Sequence, residues 1–284
     1  MVVGASATTE LSPPARIDGR YRVLEQLGEG GMGIVYRVID ESTGDHVALK
    51  KLMFKRRRSR NRELRFRREY HTMAGLLHPC IVRVLNYGVD ASGPYYTMEL
   101  LEGGDLRDLG TVDIATSCSL LRDVASALAF LHARRLLHRD VGLRNVRRAD
   151  DGRAKLIDFG VLATAGVSGE VVGTAPYVPP EVILGAPLDH RSDLYALGAL
   201  AYRMLTSRHA YPAQRFDELR SVWRTPPAQP SAYRPNLPVA LDDLVMSLLS
   251  RDPLARPASA AEVIDKLDAI AHLQPLPQAE VTRG

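Results

Sequence analysis

The stretch from His138 to Gly160 constrains this chain more than any other. It reads His138-Arg139-Asp140-Val141-Gly142-Leu143-Arg144-Asn145, then a short strand-turn-strand pattern, then Asp158-Phe159-Gly160. Neighbouring loops thus deliver Asp140, Asn145 and Asp158. A carboxylate able to accept a hydroxyl proton, beside an amide and a carboxylate able to hold hard cations, suits phosphoryl transfer from Mg-ATP. Either triplet alone reads as an ordinary Asp/Asn-rich surface turn. Both together, in this order and below a glycine-rich loop, make chance a poor explanation.

That loop is Gly28-Glu29-Gly30-Gly31-Met32-Gly33, a G-x-G-x-x-G with Val35 following it. Glycines let a backbone approach phosphates closely. A Rossmann turn is the usual competitor, but it should open a helix. Here Ile34-Val35-Tyr36 and Val38 continue as a strand after Tyr21-Arg22-Val23-Leu24, which favours a hairpin lid over nucleotide. A third strand, Val47-Ala48-Leu49-Lys50, carries a lysine placed to reach the α- and β-phosphates; a surface lysine on an edge strand is the plain alternative. A helix from about Arg60 to Leu76 follows, with Phe66, Tyr70, Met73 and Leu77 on one face. Glu69 lies beside that face and can pair with Lys50, with Glu63 as the rival partner.

Residues 81–100 read as two strands around a turn between Gly88 and Pro94, and Glu102-Gly103-Gly104-Asp105 reads as a polar linker. Leu120, Leu121, Val124, Leu128 and Leu131 recur at helical spacing, which predicts a buried helix leading into the Asp140 loop. Asp193-Leu194-Tyr195-Ala196-Leu197-Gly198 opens a second apolar helix, and a final helix is expected from about Ser259 to Leu273. Among the 284 residues the two cysteines, Cys80 and Cys118, form no C-x-x-C pattern, so a reduced, cytoplasmic protein is expected. No apolar run reads as long enough to cross a bilayer, and no signal-peptide core is evident. The net charge of +4 is unevenly placed, because nine of the fourteen residues from Lys55 to Arg68 are Lys or Arg. That run reads first as a solvated helix approach, and second as a docking surface for an acidic or phosphorylated partner.

On these motifs the chain resembles a eukaryotic-type (Hanks-type) protein kinase catalytic domain, and is most similar to the bacterial serine/threonine kinases, over roughly residues 20 to 272. The resemblance implies an α+β, bilobal fold: a small N-terminal antiparallel sheet lobe with one helix, and a larger, mainly helical C-terminal lobe. The expected divisions are a disordered leader at 1–19, the N-lobe at 20–101, the C-lobe at 102–272, and a Pro-containing tail at 273–284 that reads as a linker.

The same resemblance implies ATP and Mg²⁺ as cofactors and Ser/Thr hydroxyls of proteins as acceptors, with no nucleic-acid partner. Asp140 is then the base, and Asn145 and Asp158 are the magnesium ligands. Lys50, oriented by Glu69, steadies the phosphates. Leu27, Gly28, Gly30, Gly33, Val35 and Ala48 belong to the nucleotide site. Backbone groups of Glu99 and Leu101 bind the adenine edge, with Met98 as gatekeeper and Asp105 near the ribose. Gly173-Thr174-Ala175-Pro176-Tyr177-Val178-Pro179-Pro180-Glu181 resembles the substrate-positioning loop, with Thr174 helping to hold the catalytic Asp and Arg256 placed to pair with Glu181. Phe159 packs between the helix bearing Glu69 and His138. Thr164 or Ser168 is the candidate activation-loop acceptor, with Arg139 as charge partner and Glu170 as a built-in negative charge.

Two positions depart from the family pattern. Gly142 stands where serine/threonine kinases place a Lys, and Arg147 where an apolar residue usually lies under the adenine. Arg144, immediately before Asn145, occupies the place of an Arg found in many tyrosine kinases and is the candidate to supply the missing charge; a solvated loop residue is its plain alternative. The departures keep open a catalytically impaired pseudokinase acting as an ATP-binding scaffold. A small-molecule phosphotransferase of related fold is disfavoured by the 173–181 loop.

Overall fold

The computed structural model describes residues 14–30, 33–53, 60–107, 109–110, 112–166 and 171–272. The chain divides into two compact units, one running to Gly75 and resuming at Arg83–Leu100, the other formed by Leu76–Val82 and everything from Leu101 on. The boundary thus falls one residue earlier than expected, at Leu100, and seven residues before Arg83 belong to the second unit.

The first unit is built on a six-stranded antiparallel sheet. Its strands are β1 (Arg16–Ile17), β2 (Tyr21–Glu29), β3 (Gly33–Asp40), β4 (His46–Leu52), β5 (Val84–Asp90) and β6 (Gly93–Glu99), in the order β1-β2-β3-β4-β6-β5. One helix, α1 (Arg60–Ala74), lies between β4 and β5 in the chain. The leader expected to be disordered through residue 19 is shorter at its inner end. Arg16 and Ile17 pair with Arg22 and Tyr21, and Ile17 is buried with Tyr21, Tyr36, Val38, Leu49 and Tyr95 in one apolar cluster. Residues 1–13 lie outside the described residues.

Alternation in β3 puts Tyr36, Val38 and Asp40 inward, the period of two that a half-buried strand requires. Helix α1 packs its Phe66 ring against Tyr96, centroids 5.1 Å apart, and Tyr70 against Tyr87 at 5.2 Å. It ends at Ala74 and not at Leu76; Leu77 is therefore off its apolar face and 72% exposed.

The second unit is mainly helical. Helix α2 (Ile114–His132) begins at Asp113, whose side chain accepts a hydrogen bond from the Thr116 N–H at 2.8 Å, the usual way an N-cap satisfies a free helical donor. Short strands follow: β7 (Leu136–Leu137), β8 (Val146–Arg148), β9 (Ala154–Leu156) and β10 (Ala163–Thr164), pairing as β7 with β10 and β8 with β9. The helices α3 (Pro180–Leu184), α4 (Arg191–Thr206), α5 (Leu219–Val222), α6 (Val239–Leu248) and α7 (Ala260–His272) complete it. In α4 every residue from Ser192 to Tyr202 is buried, the mark of a helix enclosed on all sides.

Among the described residues α2 is long and apolar enough to cross a membrane by length and composition, which corrects the expectation that no run reaches that size. Its apolar residues are spent inside the fold: Leu120, Leu121, Val124, Leu128 and Leu131 are at most 2% exposed, and it packs on α7, α4 and β9. This is a core helix.

Candidate active site

In the first unit, the hairpin turn between β2 and β3 is closed by reciprocal bonds, Gly30 N–H to Gly33 O at 2.8 Å and Gly33 N–H to Gly30 O at 3.3 Å. A strand follows the glycines, as expected of a lid and not of a Rossmann turn. Gly31 and Met32 lie outside the described residues. Gly33 has a packing reason to be glycine: a Cβ there would come within 2.0 Å of the Lys51 carbonyl oxygen. For Gly28 and Gly30, a Cβ would meet nothing within 4 Å among the described residues. Leaving that space open suits a loop that lies close over a ligand.

Lys50 lies on β4, an interior strand, in register with Val35 on one side and Tyr96 on the other. Its ammonium donates to Glu69 Oε1 at 2.7 Å, and Tyr96 OH donates to the same oxygen at 2.8 Å. The Glu69 side chain is 1% exposed and that of Lys50 9%. The pairing chosen is therefore the expected one, Glu69 and not Glu63. Glu69 Oε2 is buried with no hydrogen-bond partner among the described residues. Ala48 is buried in register with Met98, and Leu27, Val35 and Met98 are half-buried. The Glu99 N–H is taken by the Arg83 carbonyl at 2.9 Å.

In the second unit, Asp140 is held from both sides. Thr174 Oγ1 donates to Asp140 Oδ1 at 3.1 Å, and Asn145 Nδ2 donates to Asp140 Oδ2 and to its carbonyl, each at 2.8 Å. Those bonds fix the Asn145 amide so that its Oδ1 remains as the acceptor. The 173–174 corner comes this close because residue 173 is glycine. Its φ is +99°, and a Cβ would lie 2.8 Å from the Arg139 carbonyl oxygen.

Asp158 has φ 59°, and its Oδ1 accepts the Gly160 N–H at 3.2 Å. The Phe159 ring meets the His138 ring edge-on, with centroids 4.9 Å apart. Asp105 accepts from the Arg107 N–H and from the Arg107 guanidinium, so much of its carboxylate is occupied within its own turn. Leu101 is buried and Arg144 is exposed. Among the described residues no group of three or more His, Cys, Asp and Glu side chains converges as a metal cage. Magnesium rarely uses such a cage; it is held by one or two protein oxygens together with phosphate. Asn145 Oδ1 and the Asp158 carboxylate fit that donor set.

The expected Glu181–Arg256 pair is present and buried. Arg256 Nη1 and Nη2 donate to Glu181 Oε1 and Oε2 at 2.7 and 2.9 Å, and Ser192 Oγ donates to Oε1 at 2.9 Å. Thr164 is an exposed residue in β10; Ser168 and Glu170 lie outside the described residues.

Sequence reasoning missed Asp193, which it took only for the opening of a helix. Asp193 is 1% exposed. It accepts the backbone N–H groups of His138 and Arg139, each at 2.9 Å, and lies 2.9 Å from His132 Nε2. Burial alone would raise its pKa, but the hydrogen bond to His132, the neighbouring imidazoles and the Arg139 N–H leave it lowered from the ordinary carboxylate value. The available signal was an acid set against apolar residues on a helix with no polar face.

A family model described as "Protein kinase domain" matches residues 21–267. The chain is similar to serine/threonine-protein kinase pkn2 of Myxococcus xanthus, 37% identical over 273 residues that cover 90% of this chain and 33% of that protein. Serine/threonine-protein kinase PknL of Mycobacterium tuberculosis is 34% identical over 284 residues, 94% of this chain and 69% of that protein. The DNA damage-responsive serine/threonine-protein kinase RqkA of Deinococcus radiodurans is 34% identical over 286 residues, 95% of this chain and 41% of that protein. The chain thus spans a third of the first relative and less than half of the third. A match running from β2 into α7, over both units and every motif described above, places this chain in the protein kinase family, beside the bacterial serine/threonine-protein kinases.

Proposed function

We propose that the protein transfers the γ-phosphoryl group of ATP to serine and threonine hydroxyls of proteins. The observation that carries this reading is the Asp140 carboxylate held by Thr174 and Asn145 at once. A carboxylate steadied at both oxygens is oriented to receive a hydroxyl proton, and a positioned base is typically worth about 10²–10⁴ in rate. Asn145 and Asp158 hold magnesium. When bound, the ion neutralises charge on the phosphate oxygens. Lys50, kept in place by Glu69, steadies the phosphates, so most of the catalysis is positioning and electrostatic stabilisation. Leu27, Gly28, Gly30, Gly33, Val35, Ala48, Met98, Glu99, Leu101 and Asp105 form the nucleotide site in this reading.

Arg144 supplies the charge that Gly142 lacks. Its guanidinium is exposed and, among the described residues, has no hydrogen-bonded partner, so it is available to phosphate oxygens. The exposed arginines of α1, Arg60, Arg65, Arg67 and Arg68, continue the basic run that begins at Lys55 and suit an acidic or phosphorylated docking partner; Lys55 to Ser59 lie outside the described residues. Phosphorylation at Thr164 or Ser168 is the regulatory modification of this reading, and the cytoplasm is its place of action.

Incubation with radiolabelled ATP, magnesium and a generic protein substrate tests the proposal. Phosphoserine and phosphothreonine are expected on acid hydrolysis. Phosphotyrosine as the main product overturns the acceptor assignment, and Mg-ATP binding with no transfer to any protein establishes the scaffold reading instead.

A further inference from the structure

A groove of about 620 Å³ opens on the second unit. Its walls come from α3, from α5 with the residue after it, and from the turn before Pro253. Pro180 and Trp223 are buried beneath it, and Leu184 stands at its rim, 66% exposed. Arg220, Arg251 and Asp252 supply the ionised groups, and all three are exposed.

The charges are not balanced among themselves. Asp252 turns its Oδ1 onto the Leu254 N–H at 2.9 Å, capping its own short turn. Arg251 is anchored through Nη1 to the Trp223 carbonyl at 3.0 Å, which fixes its direction and leaves the remaining guanidinium donors. Arg220 has no hydrogen-bonded partner among the described residues. Two guanidiniums beside an apolar floor and an exposed leucine call for carboxylates next to a large apolar side chain. Guanidinium forks match carboxylates in geometry, and Leu184 stays exposed until such a side chain covers it.

The groove's position gives it a use. Helix α3 carries Pro180 and Leu184 and also Glu181, locked to Arg256 and Ser192. It follows directly on the segment whose Thr174 touches Asp140. We infer that this groove is a docking site for an acidic segment of a protein substrate that bears one large apolar side chain. Held there, a substrate is tethered to the element that leads back to Asp140, which raises its effective concentration at the acceptor position. The inference rests on the protein-kinase reading above.

Fluorescence anisotropy of a labelled peptide, Glu-Asp-Glu-Leu-Phe-Glu-Asp, with the purified protein tests the groove without ATP. Binding is expected, with loss of at least about tenfold in affinity for Arg220→Glu and a smaller loss for Leu184→Ser. Arg220→Lys keeps the charge and should retain most of the binding. A peptide with lysines in place of the acids should not bind. Both positions are exposed, so unchanged Tm and unchanged ATP binding are expected alongside. Absence of binding, equal binding by Arg220→Glu, or equal binding of the lysine peptide overturns the inference. So does concentration-dependent self-association abolished by Leu184→Ser, which would assign the groove to a second copy of the chain. A protein that binds the peptide but transfers no phosphate refutes the kinase reading and leaves the groove standing; the converse result refutes only the groove.

Discussion

Asp193 holds Arg139 in a backbone conformation that arginine rarely adopts. The Arg139 N–H donates to Asp193 Oδ1 at 2.9 Å, and Arg139 has φ 68°. A left-handed non-glycine residue costs on the order of 1–3 kcal/mol and persists only where its surroundings over-determine it. Here the determinant is one buried carboxylate from α4 that also takes the His138 N–H. Asp193→Ala leaves those donors unpaired and is expected to destabilise the protein by roughly 3–5 kcal/mol. Urea unfolding measures the stability. Turnover should fall sharply while ATP affinity changes little, since the loop that carries Asp140 loses its anchor. A variant with wild-type stability and turnover refutes the anchor.

The same carboxylate sets an acid limit. Its folded pKa lies below the ordinary value, burial being outweighed by the hydrogen bonds and imidazoles around it. Its contribution is therefore fully present above the unfolded value, about 4, and is lost as pH falls through the lower folded one. Unfolding free energy measured from pH 6 to pH 3, roughly the span over which carboxylates titrate, should fall more steeply for the wild type than for Asp193→Asn. Parallel curves would show that Asp193 does not contribute to the acid limb.

Arg256 and Glu181 are a buried pair, their side chains 0% and 7% exposed. Removing one partner strands the other charge. Arg256→Ala should therefore cost about 3–5 kcal/mol, whereas an exposed pair would cost less than about 1. Adding Glu181→Gln should recover part of that loss, a coupling that a double-mutant cycle reads directly.

Lys50→Met and Asp158→Ala should each reduce phosphoryl transfer at least about a hundredfold while the fold survives. In Lys50→Met the buried Glu69 carboxylate loses its cation but keeps the Tyr96 hydroxyl, 2.8 Å away, so stability should fall while circular dichroism still reads a folded chain. Near wild-type turnover at saturating ATP in either variant would falsify the site assignment.

Arg144→Ala should lower turnover sharply with a smaller effect on ATP affinity. Gly142→Lys is a less simple rescue than the sequence suggests. A Cβ at residue 142 would lie 3.3 Å from Cδ2 and Cε2 of Tyr177, a buried ring that packs edge-on against His209. Overpacking of this kind typically costs about 1–3 kcal/mol. Gly142→Lys should therefore lower Tm even where it restores part of the activity of Arg144→Ala. An Arg144→Ala variant as active as wild type removes the compensation role.

The local patterns carried much of this protein in the order of its residues. Glycines followed by a β-branched strand specify the hairpin of β2 and β3, helical spacing specifies α2, and Lys50, Asp140, Asn145 and Asp158 stand out because their chemistry is tied to short motifs. Such signals are legible because they depend on neighbours a few residues away. What the chain order left open was decided by contacts between distant segments. Leu77 reads as part of the apolar face of α1, but the helix ends three residues before it. Ile17 reads as leader, yet the cluster around Tyr21 and Tyr95 buries it. Asp193 reads as the start of a helix, and only the return of residues 138–139 to it, more than fifty positions back along the chain, makes it an acceptor of backbone bonds. A helix-opening carboxylate looks the same in sequence whether it faces water or two buried N–H groups; tertiary packing decides, because burial is what makes an unpaired donor costly.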